Sequence, residues 1–498
     1  MAKVVPNPRS STVLVLTAGM GAGHDGVAQE LARRFADRGY QPQVLDILDL
    51  LPSVIGRALR RGYALMLRWA PWLYELIFRL WFEPRSGGGP VSPVTLLAER
   101  RVARWISIHQ PVGAVSTFHL CSTVLGDLRR KGVLAVPSAS FVVDLAVHRL
   151  WVDQDVDLHV CLHPEAAAEA ERRGAPRACA PGPTVRPCFA DPSWDRRSAR
   201  ASLGLGADER VVLMVAGSWG TGDIAPTLER IQQAPDLTPL VVCGADEGLR
   251  RRLLRQTEAT APPSTDADRR PGGAVPPGTP RIMGWVDDMA RLMAAADVLL
   301  ENAGGLTSLE ALAMGVPVVS YHPIPGHGRA NVAAMAGADL VAWAHEAADL
   351  VPTLELAATA SPLRARLVRA GHDLFARDAV DDVLELVSPS PMIRSATPHA
   401  EQLGGTSQAQ QPRGLRRTAI TRNRPGLRAR RRSRERRQRL LRVPIWSSRT
   451  SVPARPQRLL RRVPTLTGAR TWRAAPSKRR STPGHRSRQR LVPRGPRR

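Results

Sequence analysis

Cysteine is scarce in this chain. Its five copies (Cys121, Cys161, Cys179, Cys188, Cys243) form no Cys-x-x-Cys pair. That excludes the usual zinc and disulfide frameworks and suits a reducing compartment. No uncharged apolar run reaches the roughly 18 residues a membrane-spanning helix needs. The first apolar run, 13–18, is only strand-length and leads into a glycine loop, not a cleavage site, so no signal peptide is expected. Aromatic residues make up only 4%, and seven of the 22 crowd into Tyr63 to Phe82. Lysine is nearly missing, with three copies against 68 arginines.

What is present divides unevenly. The formal charge is +27, yet residues 1–389 hold 40 basic and 42 acidic side chains while 390–498 hold 31 and 2. The first part is near neutral and has globular patterning. The tail mixes Arg with Pro, Ser and Gln and cannot bury enough apolar surface to order itself, so disorder is expected. Three readings stay open for it: phosphate binding on nucleic acid, adhesion to anionic lipid, or no function. No recognition motif accompanies it, so nucleic acid is not the expected partner.

Thr12-Val-Leu-Val-Leu-Thr17, an amphipathic stretch from Gly26 to Arg38, and Gln43-Val-Leu-Asp-Ile47 read as a βαβ opening. Similar patterns continue to about 162. Pro and Arg then mark a linker, and a second α/β alternation starts at Arg210. The expected class is α/β: a first domain over 1–180, a linker at 181–200, a second domain over 201–389 and a tail over 390–498. A Pro-rich loop interrupts the second domain at 258–281.

Two glycine turns carry the candidate chemistry. In the segment 297–317, a buried strand ends near Leu300, Asn302 to Gly305 make a turn, and Thr307 opens a helix stopped by Gly315-Val316-Pro317. Free N–H groups at such a helix start suit a phosphate, and Glu310 can bridge the hydroxyls of a ribose. The same residues also make a capping box, Thr307-x-x-Glu310, that needs no ligand. The other turn, Gly21-Ala-Gly23-His-Asp-Gly26, satisfies Gly-x-Gly-x-x-Gly, with Asp46 at the next strand end. This also fits a dinucleotide site, so an NAD- or FAD-dependent oxidoreductase is a rival reading. His24 at the tip can act as a general base, or merely cap the helix. Asp144, at a strand end with His148 and Trp151 behind it, could be the base instead or orient His24.

Together these pieces resemble glycosyltransferases with two facing Rossmann-like domains, the GT-B fold. Monogalactosyldiacylglycerol synthases and processive diacylglycerol glucosyltransferases resemble it most, with the lipid II-forming enzyme of cell-wall synthesis as a relative. The similarity runs from about 12 to about 345 through Gly-Ala-Gly-His at 21–24, Val-Val-Asp-Leu-Ala-Val-His at 142–148, Gly-Pro-Thr-Val-Arg-Pro at 182–187, Gly-Ser-Trp-Gly at 217–220, Gly-Trp-Val-Asp-Asp-Met at 284–289 and Pro-Gly-His-Gly-Arg-Ala-Asn at 325–331. The resemblance implies a UDP-sugar in the second domain. Gly217 and Ser218 would face the cleft, and Val286 would meet the uracil. Gly304, Gly305 and Thr307 would hold the phosphates, Glu310 the ribose, and Gly326 and Asn331 the sugar. It implies no cofactor and no metal. His327 and Gly328 stand where the family often has Gln and Glu, which leaves the sugar open. Glu301 stands where Lys is frequent, and a carboxylate cannot neutralise a phosphate.

Residues 51–83 suit a headgroup layer. Arg57, Arg61, Arg68, Glu75 and Arg79 fall on one helical stripe, Trp69, Trp72, Trp81 and leucines on the rest, and Pro71 should split the helix. Two core helices would give the same pattern. Arg68, Trp69, Trp72, Arg79, Trp81 and His148 are the expected acceptor and membrane residues. The expected activity is hexose transfer from a UDP-sugar to a lipid hydroxyl, such as that of diacylglycerol, with inversion. The expected place is the inner face of the plasma membrane. A cell-wall N-acetylglucosaminyl transferase, an oxidoreductase and a nucleic-acid binder are the alternatives.

Overall fold

The computed structural model describes residues 11–82, 93–191, 193–218, 220–260, 276–375 and 377–387. The expected basic tail, and the centre of the expected Pro-rich loop, lie outside them.

Two six-stranded, wholly parallel sheets form the frame. The first is built from β1 (Thr12–Thr17), β2 (Gln41–Asp46), β3 (Gly113–Ser116), β4 (Ser138–Phe141), β5 (Leu158–Val160) and β6 (Ala178–Cys179), in the order β2-β1-β3-β4-β5-β6. The second uses β7 (Arg210–Val215), β8 (Leu237–Val242), β9 (Arg281–Met283), β10 (Val298–Glu301), β11 (Val318–Tyr321) and β12 (Ala342–Ala344), in the order β12-β11-β10-β7-β8-β9. Val13 to Leu16 and Val211 to Leu213 are fully buried, because helices cover both faces of such sheets.

Chain order reverses between β1 and β3 in one sheet and between β7 and β10 in the other. Ligand crevices open at the carboxyl ends of strands beside such switch points. At those ends stand the turn before α1 (Ala22–Asp37) and the Phe118-His119 corner on one side, and Gly217-Ser218 and Asn302–Gly305 on the other. Topology therefore aims both glycine turns at one cleft.

Three expectations change. The linker at 181–200 includes the short helix Pro187–Ala190 and the start of the helix Arg196–Ser202, and Arg196 and Arg200 both pair with Asp297 of the second domain. The helix Ala379–Val387, expected within the second domain, packs on the first: a Cβ at Gly113 would lie 2.6 Å from Val387, and Arg34 and Arg38 both pair with Asp378. Asp144 lies three residues past the end of β4, in a loop rather than at the strand end.

Pro71 does split the 51–83 segment. Helix α2 (Ser53–Trp69) stops at Ala70, and α3 (Pro71–Ile77) restarts on the proline and runs into a π-helical turn, Phe78–Phe82. Val54, Leu65, Trp69, Trp72, Leu76, Leu80 and Trp81 are exposed, Trp69 at 75%. Arg57, Arg61 and Arg68 are exposed among them, so charge and apolar surface share the outer face rather than taking opposite sides. Tyr74 and Phe78 turn inward. Among the described residues no helix is long and apolar enough to cross a membrane.

Candidate active site

His24 sits in the first turn of α1, directly above the end of β1. Its Nδ1 lies 2.9 Å from the carbonyl oxygen of Thr117. A carbonyl only accepts, so Nδ1 carries the proton and Nε2 keeps its lone pair. Phe118 meets the ring edge-on with centroids 4.9 Å apart, which fixes its plane. The imidazole is thus oriented by two neighbours and stands on the wall of the cleft.

Asp144 is held differently. Its Oδ1 accepts a hydrogen bond of 2.7 Å from Asn331 Nδ2, and its Oδ2 one of 3.0 Å from Trp151 Nε1. Both oxygens are already engaged, whereas His24 Nε2 is free to accept. Of the two candidate bases, geometry favours His24. Around them stand three more histidines. Burial lowers His119 to about 3, holds His148 well below the usual range and lowers His327 as well, the last against the opposing pull of Asp144. All three are neutral near pH 7. His148 is 7% exposed and boxed by Phe82, His119 and Trp151, so it belongs to the cleft and not to a membrane surface.

Across the cleft, the turn after β10 departs from expectation in an instructive way. Gly304 takes φ +61°, a conformation that favours glycine. Its N–H, with that of Ala303, donates to Glu301 Oε2 at 2.6 Å. Glu301, where lysine is frequent in the resembled family, therefore braces the turn from within, and Gly304 cannot offer its N–H to a phosphate. Helix Leu306–Ala313 begins one residue earlier than expected, with Gly305 as N-cap and no side-chain cap, so the Thr307–Glu310 capping box does not form. Gly305, Leu306 and Thr307 line the cleft, and first-turn N–H groups have no acceptor within their own helix.

Glu310 also lines the cleft and is 6% exposed. Burial raises its carboxyl to about 7, against the lowering effect of Arg186, whose Nη2 lies 3.5 Å away. The folded carboxyl thus holds its proton to about 7, while the unfolded one releases it near 4.3. Between these values the folded state binds more protons, so stability falls as pH rises. Glu310→Gln is expected to match the parent at pH 4.5 and exceed it at pH 8, by at most roughly 3 kcal/mol. Melting temperatures at both pH values check this, and a glutamine variant no more stable at pH 8 would contradict it.

Gly217 (φ +67°), Ser218 and Val286 line the same cleft. Gly326 does not. Its N–H donates to Glu75 at 2.6 Å, and a Cβ there would meet Tyr74 at 2.8 Å, so it seats the second domain on α3 instead of reaching a sugar. Next to it, His327 Nδ1 lies 2.9 Å from the Tyr74 hydroxyl. Arg79 pairs with Glu75, and Arg68 with Asp246 across the cleft.

One cavity of about 1550 Å³ joins His24, Asp144, Gly217, Ser218, Val286 and Glu310. Its second-domain end is the helix start with Glu310 and Arg186. Leu59, Tyr63, Met66, Ile77, Trp81 and Phe82 line the other end. Ile77 and Trp81 are also exposed outside, so the cavity's apolar end continues onto the outer face of α3.

The structure brings together His24, Asp144, His148, Gly217, Ser218, Val286, Gly305, Thr307, Glu310 and Asn331, with Trp81 at the apolar end. Trp69, Trp72, Arg68 and Arg79 lie on the outer surface. Sequence reading missed Arg186, His119 and the role of Tyr74. The Gly182–Pro187 motif contained the first of these, but nothing in it pointed to Glu310. The dinucleotide reading loses its support here. Asp46 is consumed by Arg60 at 2.5 Å and by the N–H groups of Gly19 and Leu48. A Cβ at Gly26 would lie 2.8 Å from Leu306, so that glycine admits the other domain's helix, not a pyrophosphate.

The sequence model of the family described as monogalactosyldiacylglycerol (MGDG) synthase matches residues 24–179, a span that takes in β2 to β6 of the first sheet. In sequence the chain is similar to the diacylglycerol glycosyltransferases. Processive diacylglycerol beta-glucosyltransferase of Bacillus cereus (strain AH187) is 23% identical over 346 residues, a match spanning 66% of this chain and 80% of that protein. The enzyme of the same name from Bacillus mycoides (strain KBAB4) is 24% identical over 332 residues, with the same coverage. Among solved structures, Os79 from O. sativa superposes with a TM-score of 0.51 at 14% identity, covering 75% of this chain and 99% of that one. MurG of Acinetobacter baumannii gives 0.46 at 17% identity, covering 76% and 99%. The fold is GT-B, as the two facing sheets imply.

Proposed function

We propose that this chain transfers a hexose from a UDP-sugar to the hydroxyl of a diacylglycerol-type lipid, with inversion, in glycolipid synthesis. The carrying observation is the single cavity with two chemically different ends and a free imidazole nitrogen between them. The helix start at Gly305 to Thr307 suits a diphosphate. Glu310 accepts hydrogen bonds from a ribose diol, and Val286 lies where a base would sit. The apolar end formed by α2, α3 and the π-helical turn suits acyl chains.

In the proposed reaction His24 Nε2 takes the proton of the acceptor hydroxyl as that oxygen bonds to the anomeric carbon. The bond from this carbon to the diphosphate oxygen breaks on the opposite face, and UDP leaves with the electron pair. The positive end of the Leu306–Ala313 helix takes up the growing negative charge. Asp144, capped on both oxygens, orients and stabilises the charged groups instead of receiving the proton. Neither a metal nor an organic cofactor has a part in this scheme. The related Bacillus enzymes are named for transfer to diacylglycerol, which agrees with it.

Purified protein incubated with radiolabelled UDP-glucose, UDP-galactose or UDP-N-acetylglucosamine and vesicles containing diacylglycerol and anionic phospholipid is expected to yield a labelled glycosyl-diacylglycerol. Absence of labelled lipid with all three donors would remove the proposal.

The same reading places the outer face of α2 and α3 on an anionic bilayer, at the inner face of the plasma membrane. Exposed tryptophans and leucines would enter the headgroup layer and the arginines would meet phosphates. In flotation assays on the full chain, replacing Arg57 and Arg61 by Gln should weaken binding to anionic vesicles by about 1 kcal/mol per residue. Replacing Trp69 and Trp72 by Ser should weaken binding to neutral vesicles too. Unchanged flotation of both variants would put the membrane face elsewhere.

A further inference from the structure

Asn331 was expected to reach a sugar, yet its polar atoms serve the other domain. It stands on the helix His327–Gly337 of the second domain and is 1% exposed. Its Oδ1 accepts the N–H of Ala146 at 2.9 Å, and its Nδ2 donates to Asp144 Oδ1 at 2.7 Å. Both partners lie in one loop of the first domain, so one amide clasps that loop at two points. Trp151 Nε1 completes the grip on the carboxylate from behind. On its other side Asn331 packs against the glycine turn: a Cβ on Gly304 would come within 3.1 Å of the Asn331 Cβ. The turn braced by Glu301, Asn331 and Asp144 thus form one packed row from the diphosphate end of the cavity to its acceptor side.

Resting on the proposed transfer reaction, we infer that Asn331 is a positioning residue for the Asp144 carboxylate, so that the acceptor-side charge is correctly set only when the two domains are closed on each other. Hydrogen bonds to a carboxylate are directional and strong, and small misplacements of charged groups cost rate out of proportion to binding. An amide is well matched to both contacts, because its oxygen takes the backbone N–H while its nitrogen faces the carboxylate. Aspartate in its place would keep the first contact and set two like charges together at the second. A residue that only accepted a hydrogen bond from a sugar hydroxyl would tolerate that change.

Asn331→Ala and Asn331→Asp, each alone and combined with Asp144→Asn, separate these roles. The assay is kcat and donor KM, with UDP affinity by calorimetry as the control for a folded second domain. Expected is a loss of kcat of about 10²-fold in Asn331→Ala, at least as large a loss in Asn331→Asp, and UDP affinity unchanged. In the Asp144→Asn background, Asn331→Ala should add nothing, because it acts through that carboxylate. Near-parental kcat in Asn331→Asp, with donor KM raised in Asn331→Ala, would overturn the inference in favour of sugar contact. Fully additive losses would overturn it as well. Failure of the unaltered protein to bind UDP would instead strike at the donor site itself, and with it the proposed reaction.

Discussion

His24→Gln is expected to lower kcat by about 10²–10⁴-fold, the range for removal of a positioned general base. Glutamine keeps a donor for the Thr117 carbonyl, so the first turn of α1 should hold its shape. It lacks a basic lone pair where Nε2 stands. UDP affinity should stay unchanged, because in the proposed reaction His24 serves the acceptor while Glu310 and the Leu306–Ala313 helix hold the nucleotide. Asp144→Asn is expected to cost about 10²-fold, the low end of that range, since both of its oxygens are already occupied by donors. Single-turnover transfer rates with a saturating donor measure both variants. The reverse order, a mild His24→Gln and a severe Asp144→Asn, would make Asp144 the base.

The second large effect concerns stability. Asp297 is 7% exposed at the start of β10. Its Oδ2 accepts 2.7 Å bonds from the Val211 N–H and from Arg200, and its Oδ1 pairs with Arg196. Arg200 is itself 2% exposed, also donating to the carbonyls of Ala295 and Gly206. Asp297→Ala leaves that guanidinium buried without a counter-charge and is expected to cost about 3–5 kcal/mol. Replacing Arg196, which is half exposed, should cost no more than about 1 kcal/mol. Urea midpoints followed by tryptophan fluorescence distinguish the two. A loss under about 1 kcal/mol for Asp297→Ala would mean water reaches Arg200 and relieves it.

Much of the frame is legible in the sequence because it is encoded at short range. Apolar runs such as 12–17 and 210–216 mark strands buried on both faces, and Pro71 marks a break wherever it sits in a helix. The glycine turns announce themselves by composition, and His24 by standing at the tip of one. The roles within the turns are less legible. Glu301 reads as an obstacle to phosphate, and only its two 2.6 Å bonds reveal a brace. Gly26 reads as part of a dinucleotide fingerprint, and only the nearness of Leu306 explains why it lacks a side chain.

The sequence by itself therefore determined two parallel α/β domains, a helix pair split by proline, and a charge-segregated tail. Periodicity, turn chemistry and local charge are properties of neighbouring residues, and they survive without knowledge of the rest of the chain. Only the tertiary structure decided that Asn331 holds Asp144, that Arg186 meets Glu310, that Tyr74 meets His327, and that the last described helix returns to the first sheet. Those partners lie 187, 124, 253 and hundreds of positions apart. Their meeting depends on how two sheets close on each other, which no local pattern records.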